Sequence, residues 1–215
     1  MYGYMPMYYF DPTYILILIG VLLSMGASAK LNATYGRYSS VASRCGMTGA
    51  QAAQRILQSQ GIYDVTVRHV SGRLTDHYDP RSKTVNLSDA VYGSTSIAAI
   101  GVAAHECGHA IQHNINYAPL NIRSAIVPVA NIGSSLSWPI FLLGLIFSIP
   151  ALTTVGIVLF SLAVLFQLVT LPVEFNASSR ALKMLESTGI LSREENKGAK
   201  KVLTCLLYTS PSPRD

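Results

Sequence analysis

The sequence predicts an α+β fold that is mostly helical and integral to a membrane. Only 13% of the 215 residues are charged, whereas soluble domains carry about 25%. The apolar residues are concentrated in three runs, at positions 14–29, 126–147 and 152–171. Because a helix needs about 20 apolar residues to cross a bilayer, the runs predict an N-terminal anchor and a transmembrane helical hairpin.

These runs divide the chain into five segments. We expect an N-terminal transmembrane anchor at 1–30, a polar domain at 31–123, a transmembrane helical hairpin at 124–172 and a second polar, helical segment at 173–204. The last segment, 205–215, reads CLLYTSPSPRD and resembles the translation of a sequencing-library adapter. We interpret it as an assembly scar and not as a disordered natural tail.

The N-terminal run permits two interpretations. The triplet at 27–29, Ala-Ser-Ala, resembles a signal-peptidase site. A signal peptide, however, begins with positive charge, and residues 1–13 contain no Lys or Arg. Residues 8–10 also extend the run to the length of a span. An uncleaved anchor is therefore favoured over a cleaved signal.

The positive charges predict the orientation of the chain. Lys30 and Arg37 follow the first run, Arg180 and Lys183 follow the third, and the turn at 148–150 is uncharged. Since positively charged flanks remain in the cytoplasm, the N-terminus is expected outside and both polar segments inside. The net charge of +5 is scattered, which fits contact with anionic lipid and predicts no nucleic-acid partner.

The polar domain contains the predicted β-hairpin and two helices. Residues 48–60 have helical composition, with Thr48 as the N-cap and Gly61 as the stop. The alternating residues 64–70 predict a strand, and 75–88 predict a hairpin around Asp-Pro-Arg-Ser. Residues 96–114 then predict a helix with an apolar stripe.

The second of these helices carries the motif His105-Glu106-Cys107-Gly108-His109. Residues four apart lie on one helix face, so His105 and His109 can bind a single Zn²⁺ ion. Glu106 lies beside the first ligand and can act as the general base on water activated by that ion. Gly108 removes bulk next to the second histidine, which would let another segment approach closely.

A catalytic zinc site of this type needs a third protein ligand. His113 shares the face of His109 but lies about 6 Å further along the helix, which is too far to share the ion easily. Glu174 directly follows the third apolar run, where a carboxylate is costly unless it has a partner or a function. A membrane hairpin would return Glu174 to the side of the His105 helix, so Glu174 is the favoured ligand and His113 the alternative.

The segments AAHECGHAIQH, LTDHYDPRSKTVNLS and LPVEFNASSRAL, with the hydrophobic hairpin, resemble the bacterial membrane-embedded neutral zinc metallopeptidases over nearly all of residues 1–204. A more distant similarity extends to the gluzincins that include the heat-shock inner-membrane protease and the prenyl-protein endopeptidases. The resemblance implies a zincin-like catalytic helix, a bacterial plasma-membrane location, Glu174 as third ligand and a further span after Thr204. Those relatives have Asp where this chain has Ser178, so Asn176 or Ser178 would have to support a ligand histidine.

Several other residues carry weaker predictions. His77 and Tyr78 could stabilise an oxyanion, although a surface loop is the simpler interpretation. Arg180 could pair with Glu174, with substrate or with a lipid headgroup. The strand at 83–87 could bind an extended peptide as a sheet edge. Cys107 is expected to pack, because it faces away from the ligands.

The sequence therefore predicts a membrane-bound zinc endopeptidase that acts on a protein or peptide substrate from the cytoplasmic side. The rival hypothesis is a non-proteolytic membrane adaptor with a structural zinc site. Structural zinc sites are usually closed by four protein ligands, and the adaptor would therefore require His113 as the fourth ligand.

Overall fold

The computed structural model describes residues 13–72 and 74–207. The predicted contribution of residues 8–10 to the first span lies outside these residues, as does the part of the predicted scar from residue 208 onward. The described chain folds into six helices and three strands, which are α1 Thr13–Ser39, α2 Gly49–Ser59, β1 Thr66–His69, β2 His77–Asp79, β3 Thr84–Leu87, α3 Ile97–Asn114, α4 Ala118–Ile146, α5 Pro150–Ser187 and α6 Arg193–Leu207.

Three of the helices, α1, α4 and α5, are long and apolar enough to cross a membrane. Most of their large apolar side chains are exposed, as expected for surfaces that contact lipid. The α+β membrane fold predicted from the apolar runs is confirmed. α4 and α5 form the predicted hairpin, and the turn between them contains Ser148 with a φ of 53°.

α5 is longer than a bilayer requires. Its 38 residues extend roughly 57 Å at 1.5 Å per residue, whereas the hydrocarbon core is about 30 Å thick. The helix passes through Pro172 without ending. Consequently, the predicted border between residues 172 and 173 lies within one continuous helix, which joins the apolar stretch to Glu174.

The small sheet has the strand order β1-β3-β2. β2 and β3 form the predicted hairpin, and β1 pairs in parallel with the other side of β3. The prediction that the strand at 83–87 is a sheet edge is wrong, because the strand predicted at 64–70 occupies the side that the hairpin leaves free. All four residues of β3 are buried as a result.

α3 is the centre of the polar domain. It begins after Ser96, whose side chain accepts a hydrogen bond from the Ala99 amide. Fifteen of its 18 residues are buried, and the helix packs against α2, α5 and α6. The predicted helix at 48–60 is α2, and its Thr48 cap forms a full capping box with Gln51. α2 covers one side of α3, and α5 covers the side that bears the histidines.

At Gly108 the backbones of α3 and α5 approach each other closely. A Cβ atom on Gly108 would lie 2.5 Å from the carbonyl oxygen of Ala177, well inside van der Waals contact. Because that oxygen belongs to a helix backbone, it cannot turn aside as a flexible side chain would. The prediction that Gly108 lets another segment approach is therefore confirmed, and the segment is α5.

We predict that Gly108→Ala separates α3 from α5 and destabilises the fold by about 1–3 kcal/mol, the usual cost of overpacking. Gly101→Ala is the matched control on the same helix, because the atom nearest to a Cβ there would be Ala199 Cβ at 3.4 Å. Alanine also favours helix over glycine by about 1 kcal/mol, so the control should be neutral or stabilising. Thermal unfolding in detergent measures both variants. Equal melting temperatures for Gly108→Ala and wild type would show that the contact is not tight.

Candidate metal centre

Two histidines and one glutamate meet where α3 faces α5. His105 Nε2 lies 3.2 Å from His109 Nε2 and 3.2 Å from Glu174 Oε2. His109 Nε2 lies 3.5 Å from the same carboxylate oxygen. All three side chains are largely shielded from solvent, with 7–13% of their side-chain surface exposed. The structure thus brings together the three residues that the sequence predicted as ligands.

These three atoms fit a tetrahedral zinc ion. Ligand atoms about 2.0–2.1 Å from a tetrahedral ion are separated from one another by roughly 3.3 Å, which agrees with the separations of 3.2, 3.2 and 3.5 Å between the three atoms. Two imidazoles and a carboxylate also form a donor set that zinc accepts. Among the residues that the structure describes, the group that could hold a metal contains these three side chains. A fourth coordination position would remain for water or substrate.

Glu106 is buried beside the ligands, with 7% of its surface exposed. It does not belong to the group of side chains that could hold a metal ion. The neighbouring Cys107 is fully buried and its thiol contacts the Ala53 carbonyl oxygen at 3.6 Å. Burial, with Glu106 nearby, raises the pKa of this thiol, so Cys107 packs as an inert residue.

The charges around His109 and Glu174 favour a bound cation. Burial by itself would lower the pKa of His109, but the Glu174 carboxylate beside it raises this pKa to about 9. A histidine that binds a metal must be neutral at the coordinating nitrogen, so a metal bound here would displace a proton from His109 and Glu174. The carboxylate that attracts the proton would also attract the metal.

Each ligand histidine also has a polar partner at its other ring nitrogen. Ser178 Oγ lies 3.0 Å from His105 Nδ1, and Gln112 Oε1 lies 3.1 Å from His109 Nδ1. Ser178, one of the two residues predicted to support a histidine of the site, therefore lies against the His105 ring. Such contacts fix ring orientation and tautomer. Gln112 was not predicted from the sequence as a partner of His109. Its place three residues after His109, on a buried helix face, was the signal that could have indicated this contact.

Arg123 is the other residue that sequence reasoning missed. Its Nη1 lies 3.4 Å from Glu174 Oε1, and only 6% of its side-chain surface is exposed. A charged side chain at a membrane boundary is costly, and Glu174 was predicted as a ligand for that reason. The same cost applies to Arg123, which lies at the start of an apolar run. Arg180 was predicted as one candidate partner of Glu174. Its Nε instead donates to Asn176 Oδ1 at 2.7 Å, and its guanidinium lies over the Tyr117 ring.

His113 lies away from the metal group. Its Nδ1 is 2.9 Å from the Tyr78 hydroxyl.

The surface-loop interpretation is wrong for Tyr78, which is 5% exposed within β2. Burial raises the pKa of Tyr78 to about 12, so the hydroxyl stays protonated at neutral pH. Tyr78, His109, His113 and Arg123 line one side of a small cavity, whereas His77 bonds within the sheet region to Thr75 and Asn86.

The comparison with known proteins agrees with a membrane fold that carries a buried His-His-Glu group. Residues 13–209 match the family described as "Putative neutral zinc metallopeptidase". The chain belongs to this family, so the resemblance seen in the sequence is confirmed. The family implies zinc as the metal.

The chain is also similar to "Putative membrane protease YugP" of Bacillus subtilis (strain 168). The identity is 47% over 197 residues, which cover 91% of this chain and 88% of the relative. No solved structure matches the chain. The two matches support a protease-like function in a membrane protein.

Proposed function

We propose that the chain is a zinc-dependent endopeptidase of the bacterial plasma membrane. In this proposal His105, His109 and Glu174 hold the zinc ion and Glu106 is the general base. The substrates are membrane proteins or membrane-associated peptides, cleaved on the cytoplasmic side.

The observation that carries the proposal is the triangle of ligand atoms. The separations of 3.2, 3.2 and 3.5 Å join side chains of two helices, and Glu174 lies 69 positions after His105 in the sequence. A histidine pair on one helix is common, but a carboxylate brought to both rings from another helix is a specific arrangement. Membership in the zinc metallopeptidase family supports the same conclusion.

Zinc bound here would polarise the scissile carbonyl and lower the pKa of water to about 7. Glu106 takes the proton from the attacking water and delivers it to the nitrogen of the leaving amine as the C–N bond breaks. The carboxylate of Glu106 is thereby regenerated. Arg123 balances the charge of Glu174 through Oε1, which leaves Oε2 directed at the histidines. Burial of the group limits the access of bulk water.

The adaptor hypothesis lacks the fourth ligand that it requires. His113 was the candidate for that role, and it hydrogen-bonds with Tyr78. Three protein ligands with one open position are typical of catalytic zinc sites, whereas structural sites are usually closed. The arrangement therefore favours hydrolysis over a structural metal site.

The position of the site suggests its substrate class. Glu174 lies on α5 only a few residues beyond the apolar stretch, and Arg123 lies in the first turns of α4. Both helices reach the site from the membrane. A peptide that reaches the centre would therefore do so at the bilayer surface, which suits segments that leave the membrane.

We predict that Glu106→Gln retains zinc and loses turnover by about 10²–10⁴-fold, the usual contribution of a general base. Zinc content is measured by atomic absorption, and turnover with fluorescein-labelled casein and a fluorogenic peptide library. Cys107→Ala is the matched control, because Cys107 is the next residue on α3 and packs toward Ala53. The control should retain both zinc and turnover.

Wild-type turnover in Glu106→Gln would refute the assignment of the base. A wild-type chain that holds one zinc ion and cleaves neither probe would favour the adaptor hypothesis instead. Loss of zinc together with turnover in Glu106→Gln would show that Glu106 supports the metal and not the proton transfer.

The proposed orientation predicts opposite accessibility for two cysteines. Ser148→Cys, in the α4–α5 turn, should react with a membrane-impermeant maleimide in intact spheroplasts. The native Cys45 is exposed in the polar domain and should react only after permeabilisation. Wild type, which lacks the cysteine at position 148, is the control. Labelling of Cys45 in intact spheroplasts would reverse the topology.

A further inference from the structure

Gln112 is a fully buried amide on the face of α3 that meets α5. Its Nε2 donates to the Val173 carbonyl oxygen at 2.8 Å and to Asn176 Oδ1 at 3.0 Å. Its Oε1 lies 3.1 Å from His109 Nδ1. Every polar atom of this side chain is therefore engaged, and two of its three partners belong to the helix that carries Glu174.

The donors and acceptors in this chain of contacts have only one consistent assignment. The Arg180 Nε–H group can only donate, so the Asn176 atom 2.7 Å from it is the carbonyl oxygen. The Val173 carbonyl oxygen can only accept. Both acceptors face the same end of Gln112, and that end must be the NH₂ group. Gln112 Oε1 then faces His109, and an oxygen can only accept from Nδ1–H.

This assignment determines which nitrogen of His109 is available to a metal. With the hydrogen held on Nδ1, the coordinating lone pair belongs to Nε2, which points toward His105 Nε2 and Glu174 Oε2. We infer that Gln112, oriented by Asn176 and Arg180, is a positioning residue that holds His109 in the tautomer that ligates through Nε2. The inference rests on the proposed zinc site.

The two ligand histidines differ in this respect. The partner of His105 is the Ser178 hydroxyl, which can either donate or accept and so imposes no direction. The amide of Gln112 imposes a direction on the hydrogen bond with His109 Nδ1. Its NH₂ group is held by the acceptors of Val173 and Asn176, so that only its oxygen faces the ring. Val173, Glu174 and Asn176 lie on one stretch of α5, so the docking of that helix delivers the third ligand and orients Gln112 together.

Two substitutions separate positioning from simple packing. Gln112→Met removes the acceptor for Nδ1–H, and Gln112→Glu keeps an acceptor there. Both lose the NH₂ donors to Val173 and Asn176, so a role limited to joining α3 to α5 predicts equal effects. Gln58→Met, at an exposed position on α2, controls for the substitution itself. The zinc dissociation constant of each full-length variant is measured in detergent by competition with a chelator.

We expect Gln112→Met to weaken zinc binding about 10–100-fold, the usual effect of losing such a partner, and Gln112→Glu to recover at least about fivefold of that loss. Equal weakening in both variants would reduce Gln112 to a structural link and overturn the inference. Wild-type affinity in Gln112→Met would overturn it as well. A wild-type chain that binds no zinc would instead refute the proposed function.

A second measurement does not depend on how the variants fold. Long-range ¹H–¹⁵N correlation spectra of the zinc-loaded wild type report which ring nitrogen of each histidine carries hydrogen, and His109→Gln identifies the His109 signals by their disappearance. The inference predicts hydrogen on His109 Nδ1. Hydrogen on Nε2 with an unprotonated Nδ1 would contradict it.

Discussion

Gly108 in α3 and the backbone of Ala177 in α5 occupy neighbouring space, because the glycine has no side chain to keep the helices apart. The close approach fixes the register of α5 against α3. Glu174, about one turn before Ala177, contacts both histidine rings. Ser178, which follows Ala177 directly, contacts His105. The close approach of Gly108 to Ala177 and the contacts of Glu174 and Ser178 with the two histidines therefore belong to one α3–α5 interface.

The second requirement is charge balance. A buried carboxylate is costly unless it is paired and hydrogen-bonded, and Glu174 is surrounded by His105, His109 and Arg123. The arginine comes from α4 and the glutamate from α5, so the two arms of the membrane hairpin contribute opposite charges to one site. Zinc would add positive charge on the side of Oε2, while Arg123 remains on the side of Oε1. The hairpin thus acts as both an anchor and a part of the centre.

Much of the fold followed from the sequence, because its signals are local. Thr48 and Ser96 begin the predicted helices as caps, and the apolar runs became α1, α4 and α5. The motif on α3 predicted the two histidines by spacing alone. Glu174 could be proposed because a carboxylate beside an apolar run is unusual. Each of these inferences needed only a helical period or a transfer cost.

The contacts that the sequence did not predict depend on how elements pair. The parallel pairing of β1 with β3 turned the strand at 83–87 from an edge into the centre of the sheet. Gln112 acquires its contacts only when α5 is placed beside α3, and Arg123 acquires its contact with Glu174 only when α4 is placed beside α5. Likewise, the hydroxyl of Tyr78 meets His113 across 35 positions of sequence. Long-range register, and not local propensity, determined these contacts.

X-ray absorption at the zinc edge, on the zinc-loaded protein in detergent, tests the central claim most directly. The account predicts two imidazole nitrogens at about 2.0–2.1 Å and carboxylate or water oxygen at about 2.0–2.2 Å, with no sulfur in the shell. A sulfur ligand near 2.3 Å, or a shell with fewer than two imidazoles, would contradict the claim that His105, His109 and Glu174 hold the metal.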